Sequence, residues 1–170
     1  MKKIHTRAAA IAATAGLLLS IAGTANAATV SAASAKTLIN MTAEEKLAHD
    51  VYVTLGSYWN ARRFQNISNS ETRHYTEMQT ILKTYGIKDT TAGDAVGKFD
   101  DPAVQKLFND LIAEGKTSLA AAYGVGVKVE TMDIEDLDVI LAKWMPADIK
   151  LVLQNLRAGS VNHLAAFSRG

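Results

Sequence analysis

The sequence predicts an all-α fold, on three observations. Apolar residues recur at steps of three and four along most of the chain, capping and proline signals punctuate those recurrences, and no useful stretch alternates polar with apolar. No internal repeat is visible. The N-terminus stands apart. Lys2, Lys3 and Arg7 precede an apolar run, Ala8 to Leu19, and Ala25-Asn26-Ala27 forms a small-residue cleavage site. That run is shorter than the ~20 apolar residues of a spanning helix, so residues 1–27 are expected to be a cleaved secretory signal. The protein is then expected to be exported, periplasmic or extracellular, with no stable membrane insertion after cleavage. Residues 28–40 are small and polar and predict a flexible linker; the helical domain is expected over residues 41–168.

Thr42 and Glu45 form a capping box, followed by Leu47, Val51 and Leu55 at four-residue spacing, and Gly56 with Tyr58-Trp59 closes this first helix. A second helix is expected from the capping residues of Asn66 to Ser70 through Tyr85, with Gly86 as its C-terminal cap. Residues 86–100, with Gly86, Gly93 and Gly97, read as a long connection. Asp101-Pro102 opens a short helix carrying Val104, Leu107, Phe108 and Leu111, which Gly115 ends. Ser118 opens Leu119 to Met132, where Gly124 and Gly126 suggest close packing against a neighbour, and Asp133 is expected to cap a continuation to Trp144. Pro146 opens the last helix, with Ile149, Val152, Leu153, Leu156, His163, Leu164 and Phe167 as its buried face.

Charge and composition narrow the chemistry. Residues 28–170 are 143 residues with 15 Lys and Arg against 17 Asp and Glu, a net charge of −2 and no basic cluster. A nucleic-acid partner is therefore not expected. The sequence has no cysteine, which excludes disulfides, thiolate metal sites, a lipid-modified cysteine and a Cys-x-x-Cys electron-transfer module. Any metal chemistry must come from Asp, Glu and His, and no serine or threonine sits in recognisable nucleophile context.

Three histidines remain beyond the signal: His49, His74 and His163. Glu71 and His74, three apart, share a helical face and could bind one metal, as Glu-x-x-His pairs do in di-metal bundles. In isolation the pair reads as an ordinary surface contact. Glu45 and Tyr52 are seven apart on the first helix, although Glu45 also suits the capping box. Glu130 lies in an apolar stretch, where burying a carboxylate is costly unless something cationic faces it. His163 has apolar neighbours, a setting that also suits a hydrogen-bonded core histidine.

Five blocks carry a resemblance: Glu44 through Tyr52, Asn66 through His74, Tyr85-Gly86, Asp133 through Leu137, and Gly159 through Phe167. They resemble the signature blocks of the family called domain of unknown function 2202, in the ferritin-like superfamily. The resemblance implies a ferritin-like four-helix bundle with an extra short helix between the second and third bundle helices. It implies a metal site with Glu45 on the first bundle helix, Glu71 and His74 on the second, Glu130 on the third and His163 on the fourth. Glu71 and Glu130 would bridge, and the two histidines would bind terminally. Iron is the first expectation for the metal, with manganese and zinc as alternatives.

One position departs from the pattern. Three residues before His163, where a further carboxylate is expected, stands Ser160. Asp133 and Glu77 are candidates to compensate, but nothing in the sequence places either inward, and His49 is in reach of the same face as Glu45. The functions implied are an iron-dependent oxidase or peroxidase assisted by Tyr52, or metal sequestration without turnover. The alternative is a non-catalytic exported bundle with a structural or interaction role and no metal.

Overall fold

The computed structural model describes residues 29–169, so the expected signal at 1–27 lies outside the described residues. The Ser31 hydroxyl accepts a hydrogen bond from the Ser34 N–H at 3.0 Å and starts helix α1, Ala32–Trp59. Residues 32–40, expected as part of a flexible linker over 28–40, are instead the first part of α1. Alanines favour the helix, and Leu38 and Met41 are fully buried, which stabilises this first part of α1. The helix also corrects the capping box: Thr42 lies inside α1, where its hydroxyl donates to the Leu38 carbonyl at 2.8 Å. Glu45 is thereby released from any capping role.

Asn60, in the left-handed region at φ 49°, turns the chain into α2, Arg62–Thr84. The second helix therefore begins before the capping cluster at Asn66, because fully buried Phe64 anchors its first turn. Its end is as expected. Gly86, at φ 64°, sits one residue beyond the cap; its N–H donates to the Lys83 carbonyl and the Ile87 N–H to the Leu82 carbonyl.

The connection leads to α3, Pro102–Gly115, whose first turn is capped by the Asp101 carboxylate accepting from the Ala103 N–H. Helix α4, Leu119–Leu141, is capped by Ser118 and runs without a break through Asp133, against the expected restart there. Helix α5, Ala147–Phe167, follows Pro146. Gly126 is a close-packed position: a Cβ there would lie 2.5 Å from the Phe167 ring. Gly124 faces open space.

The five helices, with no strand among the described residues, make the chain all-α. Helices α1, α2, α5 and α4 form a ring in which each touches the next, and α3 lies against α1 and α4 as the extra short helix. Two apolar clusters fill opposite ends. One gathers Val51, Leu55, Phe64, Ala122, Val125 and Phe167, the other Leu38, Met41, Leu82, Leu137, Ile149 and Leu153. On each of the four ring helices the two clusters are separated by the middle turns. Those middle turns carry polar residues. No helix among the described residues is long and apolar enough to cross a membrane.

Candidate metal centre

Between the two apolar clusters, each ring helix turns charged or imidazole side chains inward: Glu45 from α1, Glu71 and His74 from α2, Glu130 from α4, His163 from α5. All five are buried, between 1% and 8% exposed. The i, i+3 spacing of Glu71 and His74 places both on one face of α2, and Gly159 of α5 makes room for the His74 ring. A Cβ at Gly159 would sit 2.5 Å from Cε1 of that ring.

Glu71 lies between the two histidines. Its Oε2 is 2.9 Å from Nδ1 of His74, and its Oε1 is 2.6 Å from Nδ1 of His163. Oε2 of Glu45 lies 3.4 Å from Nδ1 of His74, and Oε1 of Glu130 lies 3.5 Å from Nδ1 of His163. The two imidazoles stack with centroids 5.5 Å apart. One ligand atom from each of Glu71, His74 and His163 falls within 4.8 Å of the others, so this group could hold a metal ion.

The angles of these contacts matter as much as their lengths. Neither histidine Nδ1 meets its carboxylate oxygens with hydrogen-bond alignment despite the short distances, and Oε1 of Glu45 and Glu71 accepts no aligned donor. Four buried polar atoms thus converge without being satisfied by one another. Native structures rarely leave such atoms orphaned unless an ion or a functional role accounts for them. Tyr52 is the exception in the group, donating its hydroxyl to Oε1 of Glu130 at 2.8 Å.

The cluster is strongly coupled electrostatically. Burial pushes Glu45 well above the usual carboxylate range, helped by the nearby charge of Asp133 and opposed by His74. Burial also raises Glu71, but His163 and His74 outweigh it and bring its pKa down to about 2. Burial disfavours charge on His74, yet Glu45 and Glu71 raise its pKa to about 10; for His163, Glu130 and Glu71 outweigh burial and raise it to about 9. Glu130 is pushed up to about 7 by burial and the charge of Glu71. Burial, with the Glu130 and Glu71 charges, drives Tyr52 well above its ordinary value. Without metal the site therefore holds protons on both imidazoles near neutral pH, and a metal ion would displace them.

The structure assembles all five residues expected from the sequence. Among the imidazoles Glu130 faces His163, and it accepts from the Tyr52 hydroxyl, whereas Glu71 lies between both histidines. His49 is not in the group: its Nδ1 lies 2.8 Å from Oδ1 of Asp50. Glu77 is exposed.

The residue that sequence reading left unplaced is Asp133. Its Oδ2 accepts from the buried Ser160 hydroxyl at 2.5 Å, and burial raises its pKa to about 6. The available signal was spacing, since Asp133 follows Glu130 by three residues as His163 follows Ser160. Asp133 also lines a cavity of about 200 Å³ between α1, α3 and α4, with Glu44, Leu47, Val104, Leu107 and Val129. Glu44 there has a buried, unpartnered Oε2, and burial with the charges of Asp136 and Asp133 lifts its pKa to about 8.

A second buried charged group sits about one turn away along α1. Nζ of Lys46 donates to Oδ2 of Asp50 at 2.6 Å and to the carbonyls of Ala95 and Lys98. Oδ2 of Asp50 also accepts from the Gly97 N–H at 2.8 Å. This group ties the connection between α2 and α3 to the first helix.

Comparison with known proteins gives one family. A family model described as an uncharacterized protein domain, DUF2202, matches residues 34–170. Uncharacterized protein MJ0754 of Methanocaldococcus jannaschii is 41% identical over 132 residues, which is 78% of this chain and 71% of that protein. The crystal structure titled hypothetical protein MJ0754, from Methanococcus jannaschii, superposes with a TM-score of 0.81 at 39% identity. It covers 84% of this chain and 81% of its own.

Proposed function

The chain belongs to the uncharacterized domain family DUF2202, and from that premise we propose that it is an exported metal-binding protein of ferritin-like kind. Its bundle core holds one or two divalent ions, iron first. One observation carries this reading: the Glu71 carboxylate offers one oxygen to each histidine Nδ1, and both nitrogens lack aligned hydrogen bonds. A structural ion pair would point each N–H at an oxygen. Here the contacts are short but not aligned, and one ligand atom from each of the three side chains lies within 4.8 Å of the others.

The donor set fits the ion. Carboxylate oxygen with imidazole nitrogen suits iron, manganese or zinc. Glu45 and His74 would hold an ion on the α1–α2 side, Glu130 and His163 on the α4–α5 side, with Glu71 between them. Tyr52 would orient Glu130 through its hydrogen bond rather than bind metal. Iron bound here would supply redox chemistry toward dioxygen or peroxide. The chain's own residues supply the low-dielectric apolar ends, the fixed carboxylates, and imidazoles that release protons as metal enters.

The test is metal content. Protein produced from the full chain in cells supplied with iron, manganese and zinc is expected to carry at least one ion per chain, and a Glu71→Ala/His74→Ala variant none. Metal-free protein of both kinds, with failed reconstitution, would leave the structural alternative. If iron binds, oxygen uptake on adding Fe(II) separates an oxidase from a carrier.

A further inference from the structure

The centre has an approximate two-fold pattern. On α2 a carboxylate precedes the histidine by three residues, Glu71 before His74; on α5 the matching position before His163 is Ser160. Ser160 is 1% exposed and cannot supply a carboxylate, yet it is not filled by packing alone. Its hydroxyl has one proton and two acceptors nearby: Oδ2 of Asp133 at 2.5 Å and the Leu156 carbonyl at 3.0 Å. The charged and nearer acceptor takes the proton.

We propose that Asp133 is the second shared carboxylate of a two-ion centre, supplied by α4 and held in place by Ser160 of α5. The inference rests on the metal-binding reading above and specifies it. Helix α4 then contributes two carboxylates, Glu130 and Asp133, at i, i+3 on one face. Geometry places Asp133 beside the centre: it stands one turn after Glu130 on α4 and accepts from Ser160, which stands one turn before His163 on α5.

Charge balance gives a second reason. Glu45, Glu71 and Glu130 bring three negative charges, which leave two divalent ions with an uncompensated positive charge in an apolar interior. That is costly. Asp133 brings the fourth, and with neutral imidazoles the loaded centre is neutral. Ser160 restricts the shorter aspartate side chain so that its other oxygen is free for metal. Asp133 also lines the cavity beside α3, so the second ion would be the one nearer that opening.

The test counts Co(II) alone, by equilibrium dialysis of metal-free protein produced from the full chain. Four proteins are compared: wild type, Asp133→Asn, Ser160→Ala, and the exchange variant Asp133→Ser/Ser160→Glu, each checked for helical content. Wild type is expected to bind two ions and Asp133→Asn one. Ser160→Ala should keep both sites but weaken the second at least ~10-fold, the usual loss when a ligand's hydrogen-bond partner is removed. The exchange variant returns a carboxylate to the α5 position and should bind two.

Two ions retained by Asp133→Asn would overturn the proposal while leaving the metal reading intact. A single ion in both wild type and Asp133→Asn would overturn it in the same way. If Asp133→Asn does not fold, Asp133→Ser takes its place and decides: one ion supports the proposal, and two ions overturn it. Wild type binding no Co(II) would remove the metal reading itself, and this inference with it.

Discussion

Two buried charged groups share helix α1 and differ in one respect. Lys46 and Asp50, 3% and 1% exposed, have their charges matched by directed hydrogen bonds from each other and from the backbone of residues 95–98. Glu45, Glu71, His74 and His163 are buried too, yet each keeps a polar atom without an aligned hydrogen bond. Burial alone therefore does not distinguish structure from function in this bundle. Hydrogen bonding separates these two groups, because a buried polar atom left unpaired costs about 1–3 kcal/mol.

The two groups should respond oppositely to loss of a charge. Lys46→Met leaves Asp50 facing its backbone donors without its ammonium partner. Protonating an ordinary aspartate at pH 7 costs about 4 kcal/mol, so the escape is expensive, and the expected stability loss is about 3–5 kcal/mol. Urea unfolding checks this, with metal stoichiometry unchanged. A loss below about 1 kcal/mol would place the pair with weak surface contacts.

Glu71→Gln should do the reverse. Glu45 still faces His74 and Glu130 still faces His163, so no stranded charge remains. Metal-free stability at pH 7.5 should stay within about 1 kcal/mol of wild type, while metal affinity falls at least ~100-fold, about 2.7 kcal/mol. Paired unfolding and dialysis measurements separate the two quantities. A large stability loss with no change in metal binding would make Glu71 a structural residue.

The pH profiles should diverge as well. Burial opposes the Asp50 charge but His49, Lys46 and Gly97 outweigh it, so its native pKa is lowered. Its stabilisation is present above the unfolded value near 4 and lost as pH falls through the native value. His74 and His163 are raised to about 10 and about 9. Their contribution is complete below pH 6.5 and is lost as pH rises through 9 to 10, amounting to several kcal/mol in metal-free protein. Bound metal, which requires neutral imidazoles, should abolish that alkaline loss, a difference that thermal unfolding at pH 6.5 and 9.5 would read. The smallest effect is expected from Tyr52→Phe, which leaves Oε1 of Glu130 without its donor and should cost about 1 kcal/mol in chemical unfolding.

Much of this was legible in the residues. Helix periodicity located the ring helices, Asp101-Pro102 marked the start of α3, and the Glu71, His74 and His163 blocks pointed to the centre. The start of α1 was hidden because alanine and serine suit linkers and helices alike, and only the packing of Leu38 and Met41 in one cluster with Met78, Leu82 and Leu137 decides between them. Thr42 resembled a cap for the same local reason, since its hydroxyl serves an interior carbonyl equally well. Asp133 was illegible because its partner Ser160 lies 27 residues away, on another helix. A capping aspartate and an inward one look the same until two helices are set side by side.

Anaerobic calorimetric titration of metal-free protein with Fe(II) at pH 7.5, repeated in buffers of different ionisation enthalpy, tests the central claim most directly. Saturable binding at one or two ions per chain with net proton release is expected, as is its absence from Glu71→Ala/His74→Ala. Saturable binding that persists in that variant, or no binding in wild type, would contradict that claim.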